Sequence, residues 1–258
     1  MDMNLSKEHL MARQLFHDFA VNEVEPWAEQ TDEEHRFPKE IVGKMQELGF
    51  MGVPFPKEIG GQGCDTLAYV LLVEELAKVC ATTAVIVSAH TSLAADAIAQ
   101  FGNETQKEQF LRPLAEGKKL GSFALTEAEA GTDASGLNTK AIRDGDSWVI
   151  NGTKVFITNA GQADIYVIFA MTDKTAGTRG ISAFIIEKGT PGFSFGLPEK
   201  KMGIRGSSTC ELIFEDCRIP LENLLGREGK GFGIAMATLD GGRIGIAAQA
   251  LGIAEGAF

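Results

Sequence analysis

The sequence predicts a multi-domain chain of mixed α and β class. An N-terminal all-α helical domain comes first, an antiparallel β-barrel or sandwich domain second, and the beginning of a C-terminal α-helical bundle last. Three observations carry this. Apolar residues recur at helical spacing through residues 1–118, short β-branched and aromatic runs with turn pairs fill residues 119–228, and helical composition returns over residues 229–258. Strands that follow helices, instead of alternating with them, point away from parallel βαβ units.

In the first domain Ser6 is placed to cap a helix whose stripe is Leu10, Leu15, Phe16, Phe19 and Ala20. Pro26 and the charged stretch Asp32–Arg36 interrupt it. Phe37-Pro38 opens a second helix, with Ile41, Met45 and Leu48 on one face and Gly49 as its stop. Pro54–Gly63 is rich in Pro and Gly and reads as loop. Two apolar helical runs follow, Leu67–Val79 and Ala81–Phe101; the second is apolar nearly all round and is expected to be buried on most sides. A short amphipathic helix near Thr105–Ala115 ends the domain. Strands are expected over Thr139–Ile142, Trp148–Ile150, Thr153–Thr158, Ile165–Met171, Ile181–Glu187 and Glu211–Phe214, with Asp144-Gly145 and Asn151-Gly152 as turns. From Gly231 an apolar helix runs to the last residues with no visible partner, so the expected partner is a helical domain beyond Phe258.

A chain of 258 residues that is 44% apolar and 23% charged has the composition of an ordinary globular protein. Its formal charge of -11 disfavours a nucleic-acid partner, because phosphate binding needs a basic face. The basic residues form no run suited to an anionic membrane, and no stretch reaches the ~18 apolar residues of a membrane span. The N-terminus lacks a basic-then-apolar signal pattern. Cys64, Cys80, Cys210 and Cys217 have no metal or redox spacing and are read as reduced thiols, which suggests a cytoplasmic protein. All four histidines (His9, His17, His35, His90) lie in the helical domain, away from any Ser or Cys nucleophile motif.

Three segments offer chemistry. Gly121–Gly136 reads as a strand delivering Phe123, Leu125 and Thr126, then a loop with Gly131, Thr132 and Gly136 whose backbone N–H groups suit a phosphate or the edge of a flat ring. Composition alone favours a strand followed by a capped turn, with Thr132 and Asp133 satisfying local backbone. Lys154–Gly161 places Phe156 and Thr158 on one strand face, fit for stacking on a ring and bonding to it, or simply for a cross-strand pair. In Gly229–Arg243, Asp240 and Arg243 share a helix face, as a ligand-facing pair or as a surface ion pair. The Gly-Lys of this segment lacks the Ser or Thr and the preceding strand of a phosphate-binding loop.

Taken together these segments resemble the acyl-CoA dehydrogenase family. The resemblance rests on Ala124–Gly136, on Lys154–Asn159, on Lys201-Met-Gly-Ile-Arg205, on Gly229-Lys-Gly-Phe232, and on Leu239–Ala254, which is most similar to the short-chain, butyryl-CoA type. It implies FAD as cofactor. Phe123, Leu125 and Thr126 would hold the pyrimidine side of the flavin, with Gly131 and Thr132 nearby. Phe156, Ile157 and Thr158 would face the isoalloxazine, and Thr132, Asp240 and Arg243 would contact acyl-CoA.

The implied reaction is 2,3-dehydrogenation of a short-chain acyl-CoA, with a related dehydrogenase or enoyl-CoA reductase acting on branched, aryl or dicarboxyl acyl-CoA, or a non-catalytic FAD- or CoA-binding fragment, as the alternatives. A base takes the α-proton, the β-hydrogen leaves as hydride to the flavin, and electrons pass to an electron-transferring flavoprotein; a homotetramer is the family's usual assembly. The family's short-chain base is a glutamate of the C-terminal bundle, with no counterpart here, so no catalytic residue is assigned within the chain and the chain itself is expected to be a fragment. Three positions depart from the family pattern: Ala128 where Pro is usual, Thr132 where Ser is frequent, and Phe156 where many members have Trp.

Overall fold

A computed structural model describes residues 4–258. The first three positions of the stretch read above for a targeting signal lie outside it. Helices α1 (Lys7–Phe19), α2 (Glu25–Glu33), α3 (Lys39–Glu47), α4 (Thr66–Val79), α5 (Ala81–Ser88), α6 (Asp96–Phe101), α7 (Glu104–Gln106) and α8 (Arg112–Ala115) come first. Ser6 caps α1 by accepting from the His9 amide, and Gly49 ends the turn after α3 at φ +74°. The stripe of α1 is narrower than its spacing suggests. Phe16, Phe19 and Ala20 are buried, whereas Leu10 and Leu15, and Leu48 after α3, are more than half exposed. Helix α5 continues through a π-helical stretch, Ala89–Ala95, into α6. Ala81–Phe101 is long and apolar enough to cross a membrane by length and composition alone, contrary to the reading that no stretch reaches that length, but core helices of globular proteins share this property. Its most apolar window is 67% buried within the fold. Thr82, Thr83, Ser88, His90, Thr91 and Ser92 are all interior.

The second part is one eight-stranded sheet: β1 (Gly121–Ala124), β2 (Lys140–Asp144), β3 (Ser147–Thr158), β4 (Ile165–Met171), β5 (Ile181–Glu187), β6 (Phe193–Phe195), β7 (Thr209–Pro220) and β8 (Leu224–Leu225). The order is β6-β7-β3-β2-β4-β5-β8, with β1 beside β4, and the sheet does not close on itself. It is mixed and not purely antiparallel, because β1 and β2 both pair with β4 in parallel. Asp144-Gly145 makes the β2–β3 hairpin, Gly145 at φ +59°. Asn151-Gly152 is no turn. It lies inside β3 at a register shift against β7, where a Cβ on Gly152 would stand 2.7 Å from Thr139 Cα.

The unbroken apolar run of β4 follows from burial on both faces. Tyr166, Ile168 and Ala170 join the core shared with Phe16, Leu72 and Ile86 of the helices. Ile165, Val167 and Phe169 join a second core with Phe110, Leu114 and Ile234. Each such buried large side chain contributes about 1.5–3 kcal/mol.

The last helix, α9 (Gly231–Ala257), does have a partner. Gly242, Gly245, Gly252 and Gly256 lie on one face, where added Cβ atoms would come within 2.6 Å of Leu93 Cδ2, 2.4 Å of the Tyr69 hydroxyl, 2.3 Å of Glu74 O and 2.0 Å of Lys78 O. These glycines let the backbone of α9 press directly onto α4 and the helix of Ala81–Phe101. The rest of its surface leaves Ile244, Ile246, Leu251 and Ile253 about half exposed.

Candidate functional site

The close approach of α9 leaves a cleft of about 580 Å³ between it, the Ala81–Phe101 helix and the end of β3. Apolar walls come from Val85, Ala89, Leu93, Leu239, Ile246 and Ala250, with Thr158 and Arg243 as the hydrogen-bonding groups towards its edges and Ser88 and Ser92 on the helix side. Ser88 accepts a hydrogen bond from the buried Tyr69 phenol at 3.1 Å. Beyond that contact lies a second hollow of about 380 Å³, lined by Tyr69, Ser92, Asp96 and Gly241 among others.

Thr158 is held from several sides. Its carbonyl accepts from Ser122 Oγ at 2.6 Å. The next residue, Asn159, sits at φ +65°, fully buried, and donates its side-chain amide to Ile86 O and Gly121 O at 3.1 Å each. Asn159 thereby ties β3, β1 and α5 together, which explains why an Asn follows Thr158: the left-handed backbone is best tolerated by Gly, Asn and Asp. His90 adds a second tie, its Nδ1 accepting from the Gly121 amide at 2.9 Å. Burial pushes His90 down to about 4, so it is neutral at pH 7.

Phe156 is 64% exposed at φ +59°, within a register irregularity between Lys154 and Ile157. A left-handed Phe is strained by roughly 1–2 kcal/mol, offset by the surrounding sheet, and its ring points outward as a flat open surface. Ile157 is buried, and Thr158 beyond it is half-buried. Phe123 and Leu125 are buried, Phe123 packing on Phe169 at 5.0 Å, so what these two positions can offer a ligand is main chain. Thr126 is half-buried, while Gly131 and Thr132 are exposed on the loop that follows. A Cβ added to Gly131 would meet nothing within 4 Å.

Of the residues singled out in the sequence, Thr158 and Arg243 line the cleft together. Asp240 lies one turn from Arg243 at 3.9 Å, both side chains more than three-quarters exposed. The hydroxyls of Thr126, Thr132 and Thr158 make no hydrogen bond to other described residues. Three unpaired hydroxyls, an outward aromatic ring and an open glycine loop fit a flat heteroaromatic ring with phosphate groups, which is what FAD presents.

The structure adds two residues the sequence reading passed over, Glu127 and Lys154. Lys154 is fully buried in β3 and donates to Glu127 Oε1 at 2.7 Å and to Leu125 O at 3.1 Å. Glu127 also accepts from the Asn138 and Thr139 amides, at 2.5 and 3.0 Å. A lysine beside the apolar Val155 and Ile157 of a strand was the available signal, since a buried charge is kept only if paired.

Comparison with known proteins identifies the family and the fold. Residues 6–118 match the acyl-CoA dehydrogenase N-terminal domain, and residues 122–217 match the acyl-CoA dehydrogenase middle domain. The short-chain-specific acyl-CoA dehydrogenase of Clostridium acetobutylicum is 62% identical over 258 residues, which is all of this chain and 68% of that protein. The butyryl-CoA dehydrogenase structure from Megasphaera elsdenii superposes with a TM-score of 0.97 at 54% identity, covering 100% of this chain and 68% of that one. A structure from work on the electron transferring flavoprotein of Acidaminococcus fermentans gives a TM-score of 0.98 at 55% identity, with the same coverage. Acyl-CoA dehydrogenases are flavoprotein oxidoreductases that bind FAD. The chain belongs to the acyl-CoA dehydrogenase family.

Proposed function

We propose that this chain contributes the flavin shelf and acyl cleft of a short-chain acyl-CoA dehydrogenase, which forms the trans-2-enoyl-CoA and passes electrons to an electron-transferring flavoprotein. The observation that carries this is the mostly apolar cleft between α9 and the buried helix, which Thr158 and Arg243 both line. Bound FAD supplies the two-electron acceptor. Thr126, Thr132 and Thr158 offer hydroxyls to it, and Phe156 offers a ring face. Val85, Leu93, Leu239 and Ile246 exclude water from a short acyl chain, and the Ser88–Tyr69 contact limits its depth. Arg243, exposed beside the cleft, is a cation for the phosphate-bearing part of coenzyme A.

Among the residues lining the cleft Arg243 alone is charged, so none of them can accept the α-proton. The base is assigned outside this lining, with the exposed Asp240 the nearest carboxylate on the same helix. The test is an anaerobic titration of the FAD-loaded chain with butyryl-CoA, followed by flavin absorbance. A perturbed but oxidised flavin is expected. Bleaching would place a working base within the chain, with Asp240→Asn the next variant to make, and no spectral response would remove the acyl-CoA reading.

A further inference from the structure

The two segments that face the flavin in this reading, the loop around Thr132 and the shelf Phe156–Thr158, are joined by a buried ion pair and a neighbouring main-chain hydrogen bond. The loop leaves β1 after Ala124 and returns as β2 at Lys140. At its neck Glu127 accepts from the Asn138 and Thr139 amides, closing the excursion on itself. Glu127 and Ala130 also exchange main-chain hydrogen bonds at 3.1 and 3.0 Å, which fixes the tight turn preceding Gly131 and Thr132. On the other side Lys154 lies two residues before Phe156 and reaches Glu127 and the Leu125 carbonyl. The Val155 amide then donates to Thr126 O at 2.9 Å. Lys154 is also the last residue in register with β7 before the irregularity that turns Phe156 outward.

A buried ion pair is seldom the most stable way to fill such a space. Removing two charges from water costs several kcal/mol, and an apolar pair of similar volume is often no less stable. A pair retained here therefore needs a role other than stability, and its placement supplies one. The Lys154 ammonium and the Glu127 carboxylate couple loop and strand with directional bonds that apolar packing cannot replace.

We propose that Lys154 and Glu127 form a positioning clamp that holds the Thr126–Thr132 loop and the Phe156–Thr158 shelf in a single register for the flavin. The clamp touches neither cofactor nor substrate. It rests on the assignment of those two segments as the flavin site.

The test compares FAD dissociation constants, from quenching of flavin fluorescence, and the visible circular dichroism of bound flavin. The proteins are the wild-type chain, Lys154→Arg, and the double variant Lys154→Met with Glu127→Gln. The double variant is expected to raise the FAD dissociation constant at least 10-fold and to change the sign or amplitude of the flavin bands. Lys154→Arg, which keeps a cation there, should stay within about 3-fold. Arg13→Met, which breaks an ion pair in the helical part, is the control and leaves both readouts unchanged. A double variant that binds FAD within 2-fold of wild type, with the same bands, overturns the clamp while leaving the flavin site standing. Wild-type chain that binds no FAD removes the site assignment, and the clamp falls with it. Amide exchange on the wild-type chain needs no variant to fold. Asn138 and Thr139 should be protected, and exchange there as fast as at Asp133 would overturn the proposal equally well.

Discussion

Glu75 and Lys154 are both buried charged side chains, and their surroundings differ in a way that separates stability from position. Glu75, in α4, is 2% exposed yet meets Arg13 at 2.7 Å, His17 at 3.1 Å and Lys78 at 2.8 Å. Lys78 in turn reaches Glu255 of α9 at 2.8 Å. Burial raises the Glu75 carboxyl, but its cationic neighbours outweigh that and hold it below the usual carboxylate range. Lys154 has one anion. Burial pushes its ammonium down to about 8, and Glu127 offsets only part of the effect. Glu127 itself is raised by burial and then brought below the usual range by the Lys154 charge and hydrogen bond. The helical site is redundant and opens towards solvent through its cations. The sheet site is single and closed. Redundancy makes an interior charge tolerant of losing a partner; a solitary pair has no such reserve.

The largest effect that sharpens this contrast comes from removing one anion at each site. Glu127→Ala leaves a fully buried ammonium with a carbonyl as its main partner, and should destabilise the chain by about 3–5 kcal/mol. Glu75→Ala leaves cations that keep Glu74 and Glu255 and can turn to water, and should cost about 1–2 kcal/mol. Urea unfolding at pH 7 measures both, and equal losses would break the comparison. The pH dependence has the same sense at the two sites, because both folded-state values are depressed, but it falls in different windows. Glu75, with its depressed folded-state value, contributes stability above its unfolded value near 4.3 and loses it as pH falls through the lower folded one. Lys154 titrates near 8 when folded and near 10.4 when unfolded, so across that window the unfolded chain holds more protons and stability rises with pH. The unfolding free energy of wild type minus that of Lys154→Met should therefore climb from pH 8 to pH 10.

How far these sites were legible depended on whether a residue's role was local. β4 and β5 have the bounds their apolar runs suggest, because burial on both faces leaves an unmistakable signal. The Asp144-Gly145 hairpin was equally plain. Asn151-Gly152 misled because the same dipeptide serves a strand irregularity, where Gly is needed for close approach to Thr139 and not for a turn. Leu10 and Leu15 fitted the helical period, but the face that α1 buries is narrower than the period allows. Thr126, Thr132, Phe156, Thr158 and Arg243 were singled out from three local segments, and their roles were assigned by the family resemblance. Glu127 and Lys154 stood inside the same segments without a role, since 27 residues of sequence separate two groups that only the β3–β1 contact brings together. The glycine face of α9 was likewise visible as composition, while its partner was not.

A smaller effect tests whether a buried neutral group behaves like the charged ones. His90 has Gly121 as its hydrogen-bond donor and titrates near 4, against about 6.5 in the unfolded chain. Its contribution is complete above pH 6.5 and is lost as pH falls towards 4, because the unfolded state takes up the proton first. His90→Gln, whose amide oxygen can still accept from Gly121, should flatten the slope of stability between pH 6.5 and 4 while costing about 1–2 kcal/mol at pH 7. An unchanged slope would assign the acid sensitivity of this region to the carboxylates alone.

The smallest expected effect is the one that most directly examines redundancy. Arg13→Met removes a cation that bonds Glu74 and Glu75 at 3.2 and 2.7 Å, but its side chain is 37% exposed and its alkyl part is kept by Met. Lys78 and His17 remain on Glu75, so the carboxylate is never left alone. A change below about 1 kcal/mol is expected at pH 7, as for other solvent-open ion pairs. The same substitution made in Lys78→Met should cost clearly more than either change alone predicts, because the second loss strips the buried carboxylate of its last strong cation and the two residues share that one partner. Additive losses in this double-mutant cycle would mean that Glu75 relies on burial and packing and not on its cations. The distinction drawn between the two buried charges would then rest on the sheet site by itself.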